Sequence, residues 1–159
     1  MDRFLATLNE RFTTTYRSLL KVEEVMLRHL SNDSLTISEM HMLESVGKRE
    51  DGVTITDIAQ DLEVTPPSVT MAVKRLEKKG YISKVRSSED ARRVRVRLTE
   101  QGRRAEIAHR FFHRQMVRAV TSDLSPAERE ALLTGLGKIN DFLRRKVEQY
   151  EGARRREDA

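Results

Sequence analysis

The feature that most limits the fold is a change of hydrophobic period near Gly80. Before it, apolar residues recur every three or four positions in two short runs, which is typical of two helices separated by a turn. After it, residues 81–86 have strand character, and in residues 94–98 apolar side chains alternate with arginines, which is typical of a second strand. Two helices followed by a strand pair predict a helix-turn-helix with a β-hairpin wing.

Each helix of this pair has a candidate capping residue. Thr56 is the candidate N-cap of the first helix, with a short strand expected at residues 53–55 before it. Thr65 is the candidate N-cap of the second helix, because Pro66 follows it at the first helical position. Gly80 is placed to end that helix.

The second helix is predicted to bury one face and present the other to DNA. Val69, Val73 and Leu76 share the apolar face. In a helix-turn-helix, the outward face and amino end of the second helix reach base edges in the major groove. Hydroxyls can bond several bases, methionine can pack on a thymine methyl, and cations can reach guanine or phosphate. The candidate contacts on this helix are Thr65, Pro67, Ser68, Thr70, Met71, Lys74, Arg75 and Lys78.

The predicted wing tip adds a second set of candidate DNA contacts. Arg92 and Arg93 follow Asp90 in this turn. A guanidinium can enter the narrow minor groove, where the potential is negative, and Asp90 is spaced to hold Arg92 in position. The alternative is a local salt bridge that shapes the turn without touching DNA.

Long amphipathic helices are predicted on both sides of this DNA-binding segment. Residues 3–30 form one, and a shorter helix over residues 38–47 has Ser38 as its candidate cap. A helix from Thr99 is followed by a last one that begins at Ser125, and both apolar stripes predict a homodimer. The expected organisation is one compact unit divided into a dimerisation helix (1–34), a DNA-binding lobe (35–100), dimerisation helices (101–150) and a flexible tail (151–159).

Composition narrows the classes of function. Lys and Arg number 30 against 25 Asp and Glu, and the net charge of +5 suits a polyanionic partner such as double-stranded DNA. The absence of cysteine excludes disulfides, thiolate metal sites and thiol switches. Neither a signal-peptide pattern nor a run of ~20 apolar residues is present, so we expect a cytoplasmic protein without membrane contact. We find no phosphate loop or nucleophile motif and expect no enzyme.

Three segments resemble the signature of the MarR family of winged-helix regulators. They are Leu76–Ile82, Asp90–Arg92 and Leu98–Gly102, and the flanking helices also fit that family's layout. The resemblance implies a mainly α fold with a small β-hairpin wing, and a dimer joined by its first and last helices. The family often has a small polar residue or arginine where Met71 stands, and a basic residue where Ala91 stands.

Within this family, the chain resembles repressors of fatty-acid synthesis. The resemblance rests on Val22–Arg28, Glu39–His41, Val46–Lys48 and His109–His113. It implies a co-repressor, an acyl chain presented on acyl carrier protein, bound between the dimer helices and the DNA-binding lobe. Flexible apolar side chains suit such a ligand, and ordinary core packing is the alternative. The candidate pocket residues are Met26, Met40, Met42, Phe111, Phe112 and Met116.

The same segments also resemble zinc-responsive repressors of the family. His109 and His113 lie one helical turn apart, and with Glu23 and His41 they offer nitrogen and oxygen ligands suited to Zn²⁺. Met40 and Ala108, at positions of that group's second site, are not ligands. The sequence leaves three alternatives open for the effector: an acyl chain, zinc or another small molecule. If no metal binds, the histidines and carboxylates are expected to form a buried hydrogen-bond cluster.

Overall fold

The computed structural model describes residues 2–31, 35–86 and 94–157, with the backbone alone at 31, 86, 151 and 153–157. The predicted class, a mainly α chain with a small β-hairpin, is confirmed for these residues. The elements in chain order are α1 Arg3–Ser31, α2 Ile37–Gly47, α3 Ile55–Asp61, α4 Pro66–Lys78, β1 Ile82–Arg86, β2 Val94–Leu98, α5 Glu100–Thr121 and α6 Pro126–Glu157.

The chain forms two compact units, Met1–Phe112 and His113–Ala159. The first contains α1 to α4, the hairpin and the first part of α5, and the second contains the remainder of α5 and α6. The backbone of residues 151–157 continues α6, where the sequence predicted a flexible tail. Arginine, alanine and glutamate have good helix propensity, so this segment prolongs the helix despite its charge.

A single apolar core lies within the first unit and fixes which face of α4 points outward. Val69, Val73 and Leu76 of α4 are completely buried, as predicted. They pack in a cluster that draws on α1 to α5 and both strands. Because the inner face of α4 is fixed by this packing, its outer face is fixed as well. The core residues outside α4 are Leu27, Leu35, Met40, Met42, Leu43, Val46, Val53, Ile58, Ala59, Tyr81, Ile82, Val96 and Ala105.

The N-cap of α2 is Thr36, and the predicted cap Ser38 is wrong. Thr36 has extended backbone angles and its hydroxyl oxygen accepts from the amide of Glu39, while the Glu39 carboxylate accepts from the amide of Thr36. This reciprocal capping box needs an acidic or amide side chain three residues after the cap. Ser38 has His41 at that position, which is why the helix begins earlier than predicted.

The N-cap of α3 is Thr54, and the predicted cap Thr56 is wrong for the same reason. Thr54 forms a capping box with Asp57, whereas the residue three positions after Thr56 is an alanine. This earlier start leaves no room for the strand predicted at residues 53–55. What remains of it is one β-bridge between Val53 and Val96 of β2.

The hairpin and the last helix agree closely with the sequence. In the antiparallel pair, Ile82 lies opposite Leu98 and Arg86 lies opposite Val94. At the start of α6, the Ser125 hydroxyl accepts from the amide of Glu128 and the Glu128 carboxylate accepts from the amide of Ser125, which confirms the predicted capping box. None of the described helices is both long and apolar enough to cross a membrane.

Candidate functional site

The outer surface of α4 is the candidate nucleic-acid interface. All eight predicted contacts on this helix and its cap are exposed, from Thr65 to Lys78. Pro67, Met71, Lys74 and Lys78 follow one another at steps of three and four residues, so they form a single stripe opposite the buried face. We call these four residues the α4 stripe. The predicted wing-tip contacts Asp90, Arg92 and Arg93 lie outside the described residues.

The carboxyl end of α4 is tied to α2 by a buried carboxylate. Glu39 is 3% exposed, and both of its oxygens accept from Nζ of Lys79, at 2.9 and 2.7 Å. Nε of Arg75 lies 3.5 Å from the same carboxylate. Arg75, which the sequence predicted to contact DNA, therefore also forms an ion pair with Glu39. The local sequence does not indicate Lys79. The only local signal at Glu39 is its place in the capping box with Thr36.

This environment keeps Glu39 ionised. Burial works against the charged form and by itself would raise the pKa of the carboxyl group. The hydrogen bonds from Lys79 and Thr36, together with the charge of Lys79, outweigh it and hold the pKa below its ordinary value. Glu39 therefore acts as an anionic brace between the start of α2 and the end of α4.

Two of the signature segments, Leu76–Ile82 and Leu98–Gly102, meet at a second junction, between α4 and α5. Gly80 has a φ of +82°, and the amides of Gly80 and Tyr81 bond back to carbonyls of the last turn of α4, which is a Schellman motif. The hydroxyl of Thr99 donates to the Gly80 carbonyl at 2.7 Å and accepts from the amide of Gly102 at 3.1 Å. The Thr99 amide donates to the Tyr81 carbonyl at 3.0 Å. The end of α4 is thereby bonded directly to the start of α5.

Two arginines of β2, the half-buried Arg95 and the exposed Arg97, contact a neighbouring loop. Nη1 of Arg95 contacts the Asp51 carboxylate and donates to the carbonyl of Gly52 at 3.1 Å. Nε of Arg97 donates to the Asp51 carbonyl at 3.0 Å. These contacts attach β2 to the loop between α2 and α3. The alternation of apolar and basic residues therefore predicts the strand correctly, and the two arginines attach this strand to the loop.

A polar cluster of α1, α2 and α5 surrounds His109, which is completely buried. Its Nε2 lies 3.3 Å from the Glu23 carboxylate and its Nδ1 lies 2.7 Å from the Glu44 carboxylate. Nε2 of His41 lies 3.3 Å from the same oxygen of Glu23, and the two imidazole rings have an edge-to-face arrangement at 6.0 Å. We call Glu23, His41, Glu44 and His109 the histidine cluster. His113 lies one turn further along α5, in the second unit.

The predicted pocket residues fall into different environments. Met40 and Met42 belong to the core, and Met26 packs against it. Phe111 is 54% exposed, whereas Phe112 and, in the second unit, Met116 are half-buried. A separate cleft of about 420 Å³ lies between the end of α1 and the start of α2. Its lining contains none of these six side chains and consists of Glu24, Leu27, Arg28, Leu35, Thr36, Ile37 and Ser38.

Comparisons with known proteins agree with this geometry. Residues 35–94 match the MarR family. The crystal structure of FabT of Streptococcus pneumoniae in complex with DNA is similar over 88% of this chain and 97% of that one, with 35% identity and a TM-score of 0.81.

Two curated relatives match shorter segments. The transcriptional repressor MdtR of Bacillus subtilis is 29% identical over 82 residues, which is 52% of this chain and 52% of MdtR. The transcriptional regulator AdcR of Streptococcus pneumoniae is 31% identical over 81 residues, 50% of this chain and 54% of AdcR. The chain thus spans about half the length of the curated relatives it matches.

Proposed function

Because the chain belongs to the MarR family of winged helix-turn-helix transcriptional regulators, we propose that it is a homodimeric repressor that binds a pseudo-palindromic operator. The observation that carries this proposal is the α4 stripe, an exposed surface with two lysines on a helix whose opposite face is completely buried. A rigid helix of this kind can enter the major groove without rearrangement of the core. The similarity to the structure of FabT in complex with DNA supports an orientation in which the α4 stripe faces DNA.

Exposed apolar residues on two helices support the dimer. Each of these helices leaves large apolar side chains uncovered within its own unit, and patches of this length usually mark an interface between proteins. A second copy related by a two-fold axis would cover the same residues on both chains. These residues are Phe4, Leu5, Leu8, Phe12, Tyr16 and Leu19 on α1, and Leu132, Leu136, Leu143, Val147 and Tyr150 on α6.

The test combines oligomeric state with DNA selection. In equilibrium sedimentation we expect a dimer at micromolar concentration. From a pool of random duplexes, the protein should enrich an inverted repeat whose half-sites lie about one helical turn, roughly 34 Å, or a multiple of it apart. It should bind that site about 1,000-fold or more tightly than random DNA. A stable monomer would contradict the dimer, and equal binding to all duplexes would contradict an operator-specific repressor.

For the effector, we propose an acyl chain presented on acyl carrier protein. The support is the resemblance of α1, α2 and α5 segments to repressors of fatty-acid synthesis. The proposal is also supported by three apolar side chains that the first unit leaves partly or largely exposed, Met26, Phe111 and Phe112. An acyl chain can cover partly exposed side chains of this kind without opening the core, whereas Met40 and Met42 would first have to leave it. A ligand there changes operator affinity only if it binds two conformations of the dimer unequally.

The histidine cluster supports a second candidate, a Zn²⁺ effector. Nε2 of His41 and Nε2 of His109 both lie 3.3 Å from one carboxylate oxygen of Glu23. Imidazole nitrogens and carboxylate oxygens are ligand atoms that zinc prefers. The contact from the other ring nitrogen of His109 to Glu44 is the kind of outer contact that orients a metal-bound imidazole. The proposed ligands within the first unit are Glu23, His41 and His109.

Operator affinity should separate these two effectors. An acyl effector predicts that long-chain acyl carrier protein, but not the unacylated carrier, tightens binding by about tenfold or more. A zinc effector predicts that a chelator weakens binding by a similar factor and that added Zn²⁺ restores it. Replacement of His109 by alanine should abolish a zinc response or reduce an acyl response. The control is His29→Ala, a change at an exposed histidine outside the cluster, which should leave the response unchanged whichever effector it is. A response unchanged in the His109 variant would exclude the cluster from effector sensing.

A further inference from the structure

The amino end of α4 has few backbone donors left for DNA. Pro66 and Pro67 occupy its first two positions and have no N–H group. The amide of Ser68 donates to the Thr65 hydroxyl oxygen at 3.4 Å, and the amide of Val69 donates to the Thr65 carbonyl at 3.1 Å. Helix amino ends commonly contact phosphates through such amides. In this chain the amides of the first four helical residues, 66–69, are therefore either absent or already bonded to Thr65.

The hydroxyl groups at this end are also engaged within the helix. The oxygens of Thr65 and Ser68 lie 2.9 Å apart and share one hydrogen bond. Thr70 donates its hydroxyl hydrogen to the Pro66 carbonyl at 2.9 Å. Thr70 therefore cannot donate to a base acceptor while this bond is kept, although its methyl group remains part of the exposed surface.

The two halves of the α4 stripe differ in chemistry. Its amino half consists of Pro67 and Met71, which are neighbours one turn apart, and Met71 is 56% exposed. Its carboxyl half consists of Lys74 and Lys78. Cations at the carboxyl half suit phosphate oxygens or guanine acceptors. In the major groove, the C5 methyl of thymine is the apolar group that base edges present to a side chain such as methionine.

We infer that Pro67 and Met71 recognise thymine methyl groups, and that the sequence preference of this protein is set at these positions by apolar contact rather than by hydrogen bonds. The inference rests on the proposed function, because it requires α4 to lie in the major groove. Since burial of one methyl group corresponds to about a fourfold change in affinity, each recognised thymine has a measurable effect.

The test uses duplexes that the full-length protein selects from a random pool. Each thymine of the enriched site is replaced in turn by uracil, which lacks only the methyl group. At one or more thymines per half-site, uracil should weaken binding of the wild-type protein by about fourfold. Met71→Ala and Met71→Gln should remove that difference at the thymine that Met71 contacts, because the apolar contact of this side chain is gone in both variants. Met71→Leu should retain it.

Lys78→Ala is the matched control on the same stripe. It should weaken binding to the thymine and uracil duplexes equally and lower the slope of log affinity against log salt by about one. Failure to enrich any sequence would overturn the proposed function and this inference with it. An enriched site without a uracil-sensitive thymine, or one at which every such thymine stays sensitive in Met71→Ala, would overturn this inference alone.

Discussion

The Gly102→Ala variant is expected to lose about 4 kcal/mol or more of its free energy of unfolding, a loss in the exceptional range for one substitution. A Cβ atom at this position would lie 2.0 Å from the carbonyl oxygen of Tyr81 and 3.0 Å from its carbonyl carbon. Both are backbone atoms, so no side-chain rotation relieves the overlap. The same carbonyl accepts from the Thr99 amide, and Tyr81 itself is buried in the core. Relief therefore requires α5 to separate from the end of α4.

Thermal and denaturant unfolding at one fixed protein concentration would measure this loss. Gly137→Ala is the control, because Gly137 is an exposed helical glycine with open space around the position of its Cβ. Alanine there should keep or raise stability by up to about 1 kcal/mol, in line with helix propensity. If Gly102→Ala were as stable as the wild type, the close approach of α5 to Tyr81 would be refuted.

The Glu39→Ala variant is expected to lose about 3 kcal/mol, the lower end of what removal of one partner from a buried ion pair costs. The substitution removes the capping box of α2 and leaves Lys79 without the carboxylate that both of its bonds reach. Since the Lys79 side chain is 34% exposed, water can replace part of that interaction. Operator affinity should also fall, because the brace holds the end of α4 against α2.

Asp57→Ala separates the two contributions of Glu39. Asp57 completes the equivalent capping box of α3, but it is exposed and no cation bonds to it in the way that Lys79 bonds to Glu39 among the described residues. Its replacement should therefore cost about 1 kcal/mol, the usual value of a cap. Equal losses in the two variants would show that the tie to α4 contributes nothing to stability.

The charge of Glu39 also predicts a pH dependence. Because its pKa in the folded protein lies below the ordinary value of 4.5, its contribution is complete above that value and is lost as the pH falls through the folded pKa. The stability difference between the wild type and Glu39→Gln, which keeps the shape but not the charge, should be constant near neutral pH and shrink below 4.5. A difference that does not change across this range would contradict an anionic brace.

The elements of this fold follow from local patterns in the sequence. The buried face of α4, its Thr65 cap and its end at Gly80 depend on side chains within a few residues of each other, as do the two strands and the capping box of α6. The signature segments indicate the family for the same reason. The starts of α2 and α3 were also locally encoded, in threonines that precede an acidic residue by three positions. Ser38 and Thr56, two residues further along the chain, suggested later starts.

Contacts between distant segments were decided by tertiary structure alone. Glu39 and Lys79 are 40 residues apart, and Glu44 and His109 are 65 apart, so no local periodicity relates them. Even the exposed Thr70 of α4 depended on three-dimensional detail, because the direction of its hydroxyl group is not apparent from its place on the outward face. A sequence pattern indicates which residues turn inward or outward. The partner of a buried charge is set instead by how the helices pack, since packing determines which donors or acceptors lie within hydrogen-bond distance of it.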